Sequence, residues 1–144
     1  MKIAPGVIDG SFETFRSCGA GRDECVVYWS GPLDDPGLVD RFHHPRHTAG
    51  PIGYTVDGAW LTELLPSLSA EGRTVRVQVH THPGSTFHSS RDDGMALLYV
   101  PGFLSLVIPD FGLGERTLEC SYLTTLDENG DWHVLDPHGA LELA

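Results

Sequence analysis

Basic residues are scarce in this chain of 144 residues, which has nine Lys and Arg against 20 Asp and Glu and a formal net charge of −11. A surface with this charge repels nucleic acid and anionic membranes, so the composition argues against both as partners. A partner with a basic face is favoured instead. The sequence also shows no basic stripe and no glycine-rich phosphate loop.

Cysteine is scarce as well. Cys18, Cys25 and Cys120 are an odd number without CxxC spacing, so they do not form a disulfide framework. Cys25 and Cys120 lie in apolar, strand-like runs and are predicted to be buried packing residues. Cys18 lies near glycines and is expected to be exposed. The three residues give no support for a cysteine protease.

Long apolar runs are missing too. No segment reaches the length of a transmembrane helix, and the first residues lack the apolar core of a signal peptide, so we expect a cytoplasmic protein. The length and a hydrophobic content of 40% suit one domain over residues 1–144. Repeats, low-complexity tracts and linkers are not visible.

The most informative feature present is a concentrated set of metal-ligand side chains. His80-Thr81-His82-Pro83 is followed by Ser90 and then by Asp93. Two imidazoles and one carboxylate leave a fourth position open, as a catalytic zinc site requires, whereas a structural site has four protein ligands, mostly cysteine. The set therefore predicts hydrolysis by a metal-bound water.

The local pattern explains how these ligands would converge. Valines alternate with polar residues over 75–80, which predicts a half-buried strand. Extending that alternation puts His80 and His82 on the same side of the chain, where both can reach one ion. Pro83-Gly84 ends the strand, and Ser89 or Ser90 is a suitable N-cap for a helix that follows. A strand end and a helix start would thus meet at one cation.

At this point the sequence resembles a known family. His80, His82, Ser90 and Asp93 match the JAMM motif of the JAB/MPN-domain metalloproteases, which include zinc-dependent deubiquitinases and bacterial relatives acting on ubiquitin-like proteins. The resemblance implies zinc held by His80, His82 and Asp93, with Ser90 stabilising the oxyanion. It also implies an α/β fold: a single MPN (JAB)-like domain with a central mixed β-sheet flanked by helices, similar to cytidine deaminase.

The family also requires an upstream glutamate that activates the water. Glu24 is our choice, because it stands directly before an apolar run and seven residues before Gly31, as the family's glutamate does. Glu13, Glu63 and Glu71 are the alternatives. Glu63 lies in a predicted helix and Glu71 at its end, so both look like solvated surface, and Glu13 has less sequence context in its favour.

The resemblance implies a zinc-dependent isopeptidase or peptidase that cleaves amide bonds after the C-terminal tail of a ubiquitin-like protein. Glu24 would act first as general base and then as general acid. The implied partners are a ubiquitin-like protein or its conjugates, with activating or conjugating enzymes encoded nearby. The alternatives are processing of a sulfur-carrier protein, hydrolysis of small peptides, and a non-catalytic scaffold or binding module of the same fold.

The remaining predictions concern elements and other histidines. We expect a strand over 3–8, a loop over 47–54, helices over 57–70 and from Ser90 through the apolar run 95–99, and a strand over 118–126. His43, His44 and His47 are too loosely spaced to favour a second metal and are interpreted as surface residues. His88 lies within the metal loop and could shape a substrate groove, but a fourth protein ligand would close the site.

Overall fold

The secondary structure alternates short strands with four helical segments in the part of the chain that the computed structural model describes, residues 1–87 and 89–144, with the side chain of Asp93 left out. In chain order the elements are β1 (Lys2–Ile3), α1 (Val7–Cys18), β2 (Val26–Pro32), β3 (Leu38–Val39), β4 (Arg41–His43), β5 (His47–Gly50), β6 (Gly53–Val56), α2 (Gly58–Ala70), β7 (Arg73–Thr81), α3 (Ser90–Gly94), β8 (Leu104–Ile108), β9 (Tyr122–Leu126), β10 (Trp132–Leu135), α4 (Pro137–Ala140) and β11 (Glu142–Leu143), with a short 3-10 helix over Asp110–Gly112.

The centre of the fold is a six-stranded sheet in the order β10-β9-β8-β7-β2-β4. Its β7 and β8 are parallel, whereas the other neighbouring strands are antiparallel. β11, β1 and β3 form a small parallel sheet, and β5 pairs with β6 as a separate hairpin. The predicted α/β class with a central mixed sheet is therefore confirmed.

Helices cover both faces of the central sheet. On one face Phe12 and Phe15 of α1 pack against the inward side chains of β2 and β7, including Val27 and Val77. On the other face Leu68 of α2 packs in a second cluster that contains Val26, Tyr28 and Val75. Because successive strand residues point to opposite faces, β2 and β7 contribute to both clusters and run through the interior. Packing on both faces therefore holds the end of β7 in place.

The first strand and first helix differ from the sequence prediction. The predicted strand over 3–8 is only the two residues of β1, and α1 begins already at Val7. Pro5 cannot donate a ladder hydrogen bond, and Gly6 takes a left-handed conformation with φ of 88°. These two residues end the strand and turn the chain into the helix.

The predicted loop over 47–54 is in fact the β5–β6 hairpin, in which Gly50 pairs with Gly53 across a turn at Pro51 and Ile52. Helix α2 agrees with the prediction, with Asp57 as N-cap accepting from the amide of Ala59.

The helix expected through 95–99 stops at Gly94. Glycine is a weak helix former, and the amide of Leu97 donates to the Gln78 side chain at 2.9 Å instead of to a helical carbonyl.

The strand expected over 118–126 is limited to β9, and this changes the environment of one cysteine. Cys120 lies before the strand and is exposed, so its predicted burial is wrong, whereas the prediction for Cys25 is confirmed. Cys18 is partly buried. Within the described residues, none of the helices has the length and apolar character needed to cross a bilayer.

Candidate metal centre

The end of β7 brings two imidazoles together. His80 and His82 are both buried, and their Nε2 atoms lie 3.2 Å apart. The neighbouring strands fix this segment, since His80 pairs with Val26 on one side and Val107 on the other. The amide of His82 continues the pairing by donating to the Ile108 carbonyl. The two side chains therefore project from a backbone held on both sides.

A carboxylate from the next helix completes the cluster. Asp92 is buried, with Oδ1 at 3.2 Å from His80 Nε2 and Oδ2 at 3.4 Å from His82 Nε2. A capping box sets its position: the Ser89 hydroxyl accepts from the Asp92 amide, and the Ser89 amide donates to Asp92 Oδ2 at 2.8 Å. The first turn of α3 is thereby locked with its carboxylate facing the histidines.

These donor atoms fit a metal ion. Zinc bonds of 2.0–2.2 Å to nitrogen and oxygen in tetrahedral geometry separate neighbouring ligand atoms by about 3.3 Å. The contacts among His80, His82 and Asp92 span 3.2–3.4 Å. The three side chains form a buried group with ligand atoms close enough to hold one ion.

The electrostatics of Asp92 suit a ligand. Burial alone would raise the pKa of its carboxyl, but hydrogen bonds from His80 and His82 and the charge of His80 outweigh burial and hold the pKa well below its usual range. Asp92 is therefore ionised across the physiological pH range. An ionised carboxylate beside two imidazoles is a donor set that binds divalent transition metals.

Glu24 lies beside this cluster. Its side chain is 5% exposed, and its amide donates to the Gly50 carbonyl of β5 at 2.9 Å. The next residue, Cys25, forms two hydrogen bonds with Thr81. The Cys25 carbonyl accepts from the Thr81 amide, and the Cys25 amide donates to the Thr81 hydroxyl. Continuing the antiparallel register of β2 and β7 thus sets Glu24 opposite His82.

The environment of Glu24 shifts its protonation. Burial raises the pKa of Glu24 to about 7, with the charge of His82 opposing the shift and that of Asp92 adding to it. A carboxyl with this pKa can both accept and donate a proton near neutral pH, as a group that alternates between general base and general acid must.

Glu24, His82 and Asp92 line one cavity of about 320 Å³. Its lining includes Asp92 and His82 at the bottom and Gly53 and Ile52 of the hairpin on one side, with Phe87 of the metal loop also in the wall. Phe87 packs edge-on against the His82 ring at a centroid distance of 5.0 Å. A substrate entering here would meet a proton acceptor and a metal site together.

Comparison with known proteins agrees with this geometry. The chain is 30% identical over 124 residues to a protein of Sinorhizobium fredii named probable metalloprotease y4jG, an alignment that covers 82% of this chain and 76% of the relative. The chain belongs to the JAB/MPN metalloprotease family. The buried cluster of His80, His82 and Asp92 fits a metal site of the JAMM type, and the protein is a metallohydrolase.

Solved structures support the same fold. A JAB1/MPN domain protein from Archaeoglobus fulgidus has a TM-score of 0.55 at 16% identity, over 100% of this chain and 97% of that one. A solution structure from Desulfitobacterium hafniense has a TM-score of 0.70 at 14% identity, over 100% and 93% of the two chains. No protein-family model matches the sequence.

The described structure supplies Asp92 as a candidate third ligand, and the JAMM motif supplies Asp93. The structure places Asp92 against the histidines, whereas the prediction was Asp93, the side chain of which lies outside the described part of the chain. Ser90 is exposed at the start of α3, and Ser89 is the serine that lines the cavity. Two frames of Ser-x-x-Asp, from Ser89 to Asp92 and from Ser90 to Asp93, are offset by one residue here, and the spacing of the JAMM motif selects the later one.

The other glutamates lie away from the JAMM cluster. Glu13, Glu63 and Glu71 are exposed. Glu13 contacts Arg116 at 3.3 Å, and Glu71 pairs with Arg41 at 2.7 Å. Of the four glutamates considered, Glu24 is the one in the cavity wall. His88, expected to shape the groove, lies outside the described residues.

Sequence reasoning missed two supporting residues. Gln78 is 1% exposed and donates from Nε2 to the Tyr54 hydroxyl at 2.7 Å, while its Oε1 accepts from the Leu97 amide. Tyr54 in turn packs against the His80 ring at a centroid distance of 5.5 Å. Gln78 could have been recognised from sequence, because it is a polar residue two positions before His80 and therefore on the same side of the strand as the ligands.

Proposed function

We propose that this chain is a zinc-dependent isopeptidase or peptidase that cleaves the amide bond after the C-terminal tail of a ubiquitin-like protein. The observation that carries the proposal is that Glu24 lines one cavity together with His82 and Asp92, two members of the three-ligand cluster. Three protein ligands leave a position for water and substrate, which distinguishes a catalytic zinc site from a structural one.

In this proposal His80, His82 and Asp92 hold the zinc ion, since imidazole and carboxylate are zinc's usual ligands at catalytic sites. The ion, when bound, activates water and polarises the substrate carbonyl. Glu24 accepts a proton from the attacking water and returns it to the leaving amine, a role that its pKa of about 7 suits. Water is the nucleophile, so the chain needs no acyl-enzyme residue.

The hairpin wall supports an extended, thin substrate. β5 and β6 form a separate two-stranded sheet, so in the described structure the hairpin offers edges that an extended peptide can join by backbone hydrogen bonds. At Gly53 a Cβ would lie 2.8 Å from the Arg91 guanidinium carbon, so the Arg91 side chain lies directly against the wall there. A tail without side chains fits best beside it, because glycine allows close backbone approach.

The rim of the cavity supports a protein substrate. Ile52 is 79% exposed and Phe87 is 54% exposed, and both line the cavity mouth. Exposed large apolar side chains beside a site are typical of an interaction surface. They would contact the body of a ubiquitin-like protein while its tail reaches the metal.

The test is cleavage of a panel of ubiquitin-like fusions with tails ending in Gly-Gly, compared with the same tails carrying one bulky residue. We expect chelator-sensitive cleavage limited to the glycine tails. Glu24→Gln should retain fold and zinc but lose roughly 10²–10⁴-fold in turnover, whereas the exposed Glu13→Gln should behave as wild type.

Three results would contradict the proposal. Equal cleavage of all tails, or of small peptides alone, would indicate a general peptidase. Zinc-loaded protein that cleaves nothing would indicate a scaffold. Wild-type turnover in Glu24→Gln would remove the assigned base.

A further inference from the structure

A second cluster of metal-ligand side chains lies apart from the JAMM site. It consists of Cys18 at the end of α1, Cys25 just before β2, His44 after β4 and His47 at the start of β5. One ligand atom from each residue lies within 4.8 Å of the corresponding atoms of the others. The sequence prediction had treated these cysteines as unrelated and the histidines as surface residues.

Two contacts in this cluster have the dimensions of a tetrahedral site. Cys18 Sγ lies 3.4 Å from His47 Nε2, and Cys25 Sγ lies 3.5 Å from His44 Nε2. Bonds of about 2.3 Å to sulfur and about 2.0–2.1 Å to nitrogen, at tetrahedral angles, separate the two ligand atoms by about 3.6 Å. Both thiol–imidazole pairs are within about 0.2 Å of that separation.

The orientation of His47 is a second, independent observation. Its Nδ1 lies 2.9 Å from the Pro45 carbonyl, and because a carbonyl can only accept, Nδ1 carries the proton. In the neutral imidazole Nε2 is then the unprotonated atom, and it faces Cys18. Metal-bound histidines characteristically donate their other ring nitrogen to a carbonyl or carboxylate, which fixes the tautomer and the ring.

Ordinary packing explains this arrangement less well. Cys25 is fully buried, but His44 is exposed and His47 is partly exposed, so an apolar core does not account for their convergence. A hydrophobic contact would not direct two imidazole nitrogens at two sulfur atoms. The His44 and His47 rings also lie edge to face with centroids 5.2 Å apart, close enough for both to serve one ion.

We propose that Cys18, Cys25, His44 and His47 bind a second zinc ion with a structural role. Two thiolates and two imidazoles are a closed ligand set that leaves no position for substrate. Soft thiolate ligands favour zinc over the hard cations magnesium and calcium. The site is independent of the proposed peptidase activity.

The position of this site connects three parts of the fold. Cys25 follows Glu24 directly, and His47 begins the strand that ends at Gly50, whose carbonyl accepts from the Glu24 amide. One ion would therefore tie the end of α1 to the backbone of the catalytic glutamate and to the hairpin that walls the cavity. A chain with small separate sheets gains rigidity at this point, since structural zinc contributes folding energy.

Metal content and the cobalt spectrum test the proposal. Wild-type protein should hold about two zinc ions per chain, and His80→Ala/His82→Ala and Cys18→Ser/His47→Asn about one each. Cys120→Ser, at the exposed cysteine outside the cluster, is the matched control and should retain both. Cobalt(II) loaded into the His80→Ala/His82→Ala protein should give a thiolate charge-transfer band, because only the second cluster contains sulfur.

The cobalt measurement does not depend on whether a cysteine variant folds or on whether the protein cleaves anything. One zinc per wild-type chain, removed entirely by His80→Ala/His82→Ala, together with no thiolate band, would overturn the proposal. A Cys18–Cys25 disulfide in the intact mass of freshly purified, zinc-supplied protein would overturn it as well.

Discussion

At the scale of single residues, the proposed chemistry depends on a carboxyl that is buried away from water. Glu24 is 5% exposed, and burial raises its pKa to about 7 from an ordinary value of 4.5. The same burial that makes Glu24 a base near neutral pH opposes folding once the group ionises. Stability is thus exchanged for reactivity at this position, a common feature of active sites.

This trade-off predicts a pH-dependent stability of the metal-free protein. The folded state binds the Glu24 proton more tightly than the unfolded state, so the free energy of unfolding falls as pH rises from about 4.5 to about 7 and then stays level. In the presence of chelator, the Glu24→Gln variant should not show this decrease. Its free energy of unfolding relative to that of wild type should therefore be higher at pH 8 than at pH 5, by on the order of 1–3 kcal/mol.

Urea unfolding at the two pH values measures this difference. Glu13→Gln, at an exposed position, is the control and should follow wild type. An identical pH dependence in wild type and Glu24→Gln would show that Glu24 ionises normally in the folded protein.

The third ligand is also decided at residue scale. Asp92 contacts both histidines through its two carboxylate oxygens, whereas motif spacing selected Asp93. We expect Asp92→Asn to lose zinc from the JAMM site, by more than the roughly 10–100-fold drop in affinity that follows loss of a supporting hydrogen bond. Asp93→Asn is the isosteric control and should retain zinc. Competition with a zinc-binding dye measures both, and the reverse result would restore Asp93 as the ligand.

At the scale of elements, the short helix α3 positions the Asp92 carboxylate. Helices this short are not stable by themselves, so the capping box between Ser89 and Asp92 has to define the turn. The Asp92 carboxylate is shared between the cap and the histidines. A change in the cap should therefore alter the metal site.

Ser89→Ala should lower the free energy of unfolding by about 1 kcal/mol and weaken zinc binding roughly 10–100-fold. Ser90→Ala leaves the cap intact and should keep wild-type zinc affinity. Calorimetric titration compares the two, and equal affinities in wild type and Ser89→Ala would show that the cap does not orient the ligand. Loss of turnover in Ser90→Ala at full zinc occupancy would support the oxyanion role predicted for Ser90.

Elements with strong local signals were predictable from sequence. The valine alternation before His80 predicted β7, and the i, i+2 spacing of the histidines predicted that both side chains reach one point. The apolar periodicity of α2 was equally readable. In each case the local pattern and the tertiary packing favour the same conformation.

Elements defined by distant partners were not predictable. The β5–β6 hairpin looked like a loop because its strands carry glycine and a proline-containing turn. The sequence does not reveal that the Asp92 carboxylate faces the histidines, because this depends on where the cap of α3 begins. Cys18 and His47 are 29 positions apart, so no spacing rule relates them. These features follow from tertiary contacts.

At the scale of the whole molecule, the central sheet aligns two neighbouring strands that supply the chemistry. β2 begins just after Glu24, and β7 ends at Thr81, between His80 and His82. The antiparallel pairing of the two strands and the hydrogen bonds between Cys25 and Thr81 fix the position of Glu24 relative to His80 and His82. Helices on both faces bury most residues of this pair of strands. The reactive groups are thereby placed on the rigid interior, and the hairpin and metal loop are left to contact substrate.

The net charge of −11 adds a long-range property to this arrangement. A strongly negative protein attracts a substrate with a basic face from beyond contact distance and accelerates association by roughly 10- to 1000-fold at low salt. Raising ionic strength from about 0.01 M to about 0.15 M shortens the screening length from roughly 30 Å to roughly 8 Å. For a basic ubiquitin-like fusion, kcat/KM should therefore fall about tenfold over this range.

Two controls separate this effect from an effect of salt on the chemistry. The turnover number at saturating fusion and the kcat/KM of a short uncharged peptide should change little, because neither depends on steering between charged bodies. Steady-state assays at several salt concentrations give all three values. A kcat/KM for the fusion that is independent of salt, or that rises with salt, would show that the acidic surface does not recruit the substrate and that recognition is confined to the tail in the cavity.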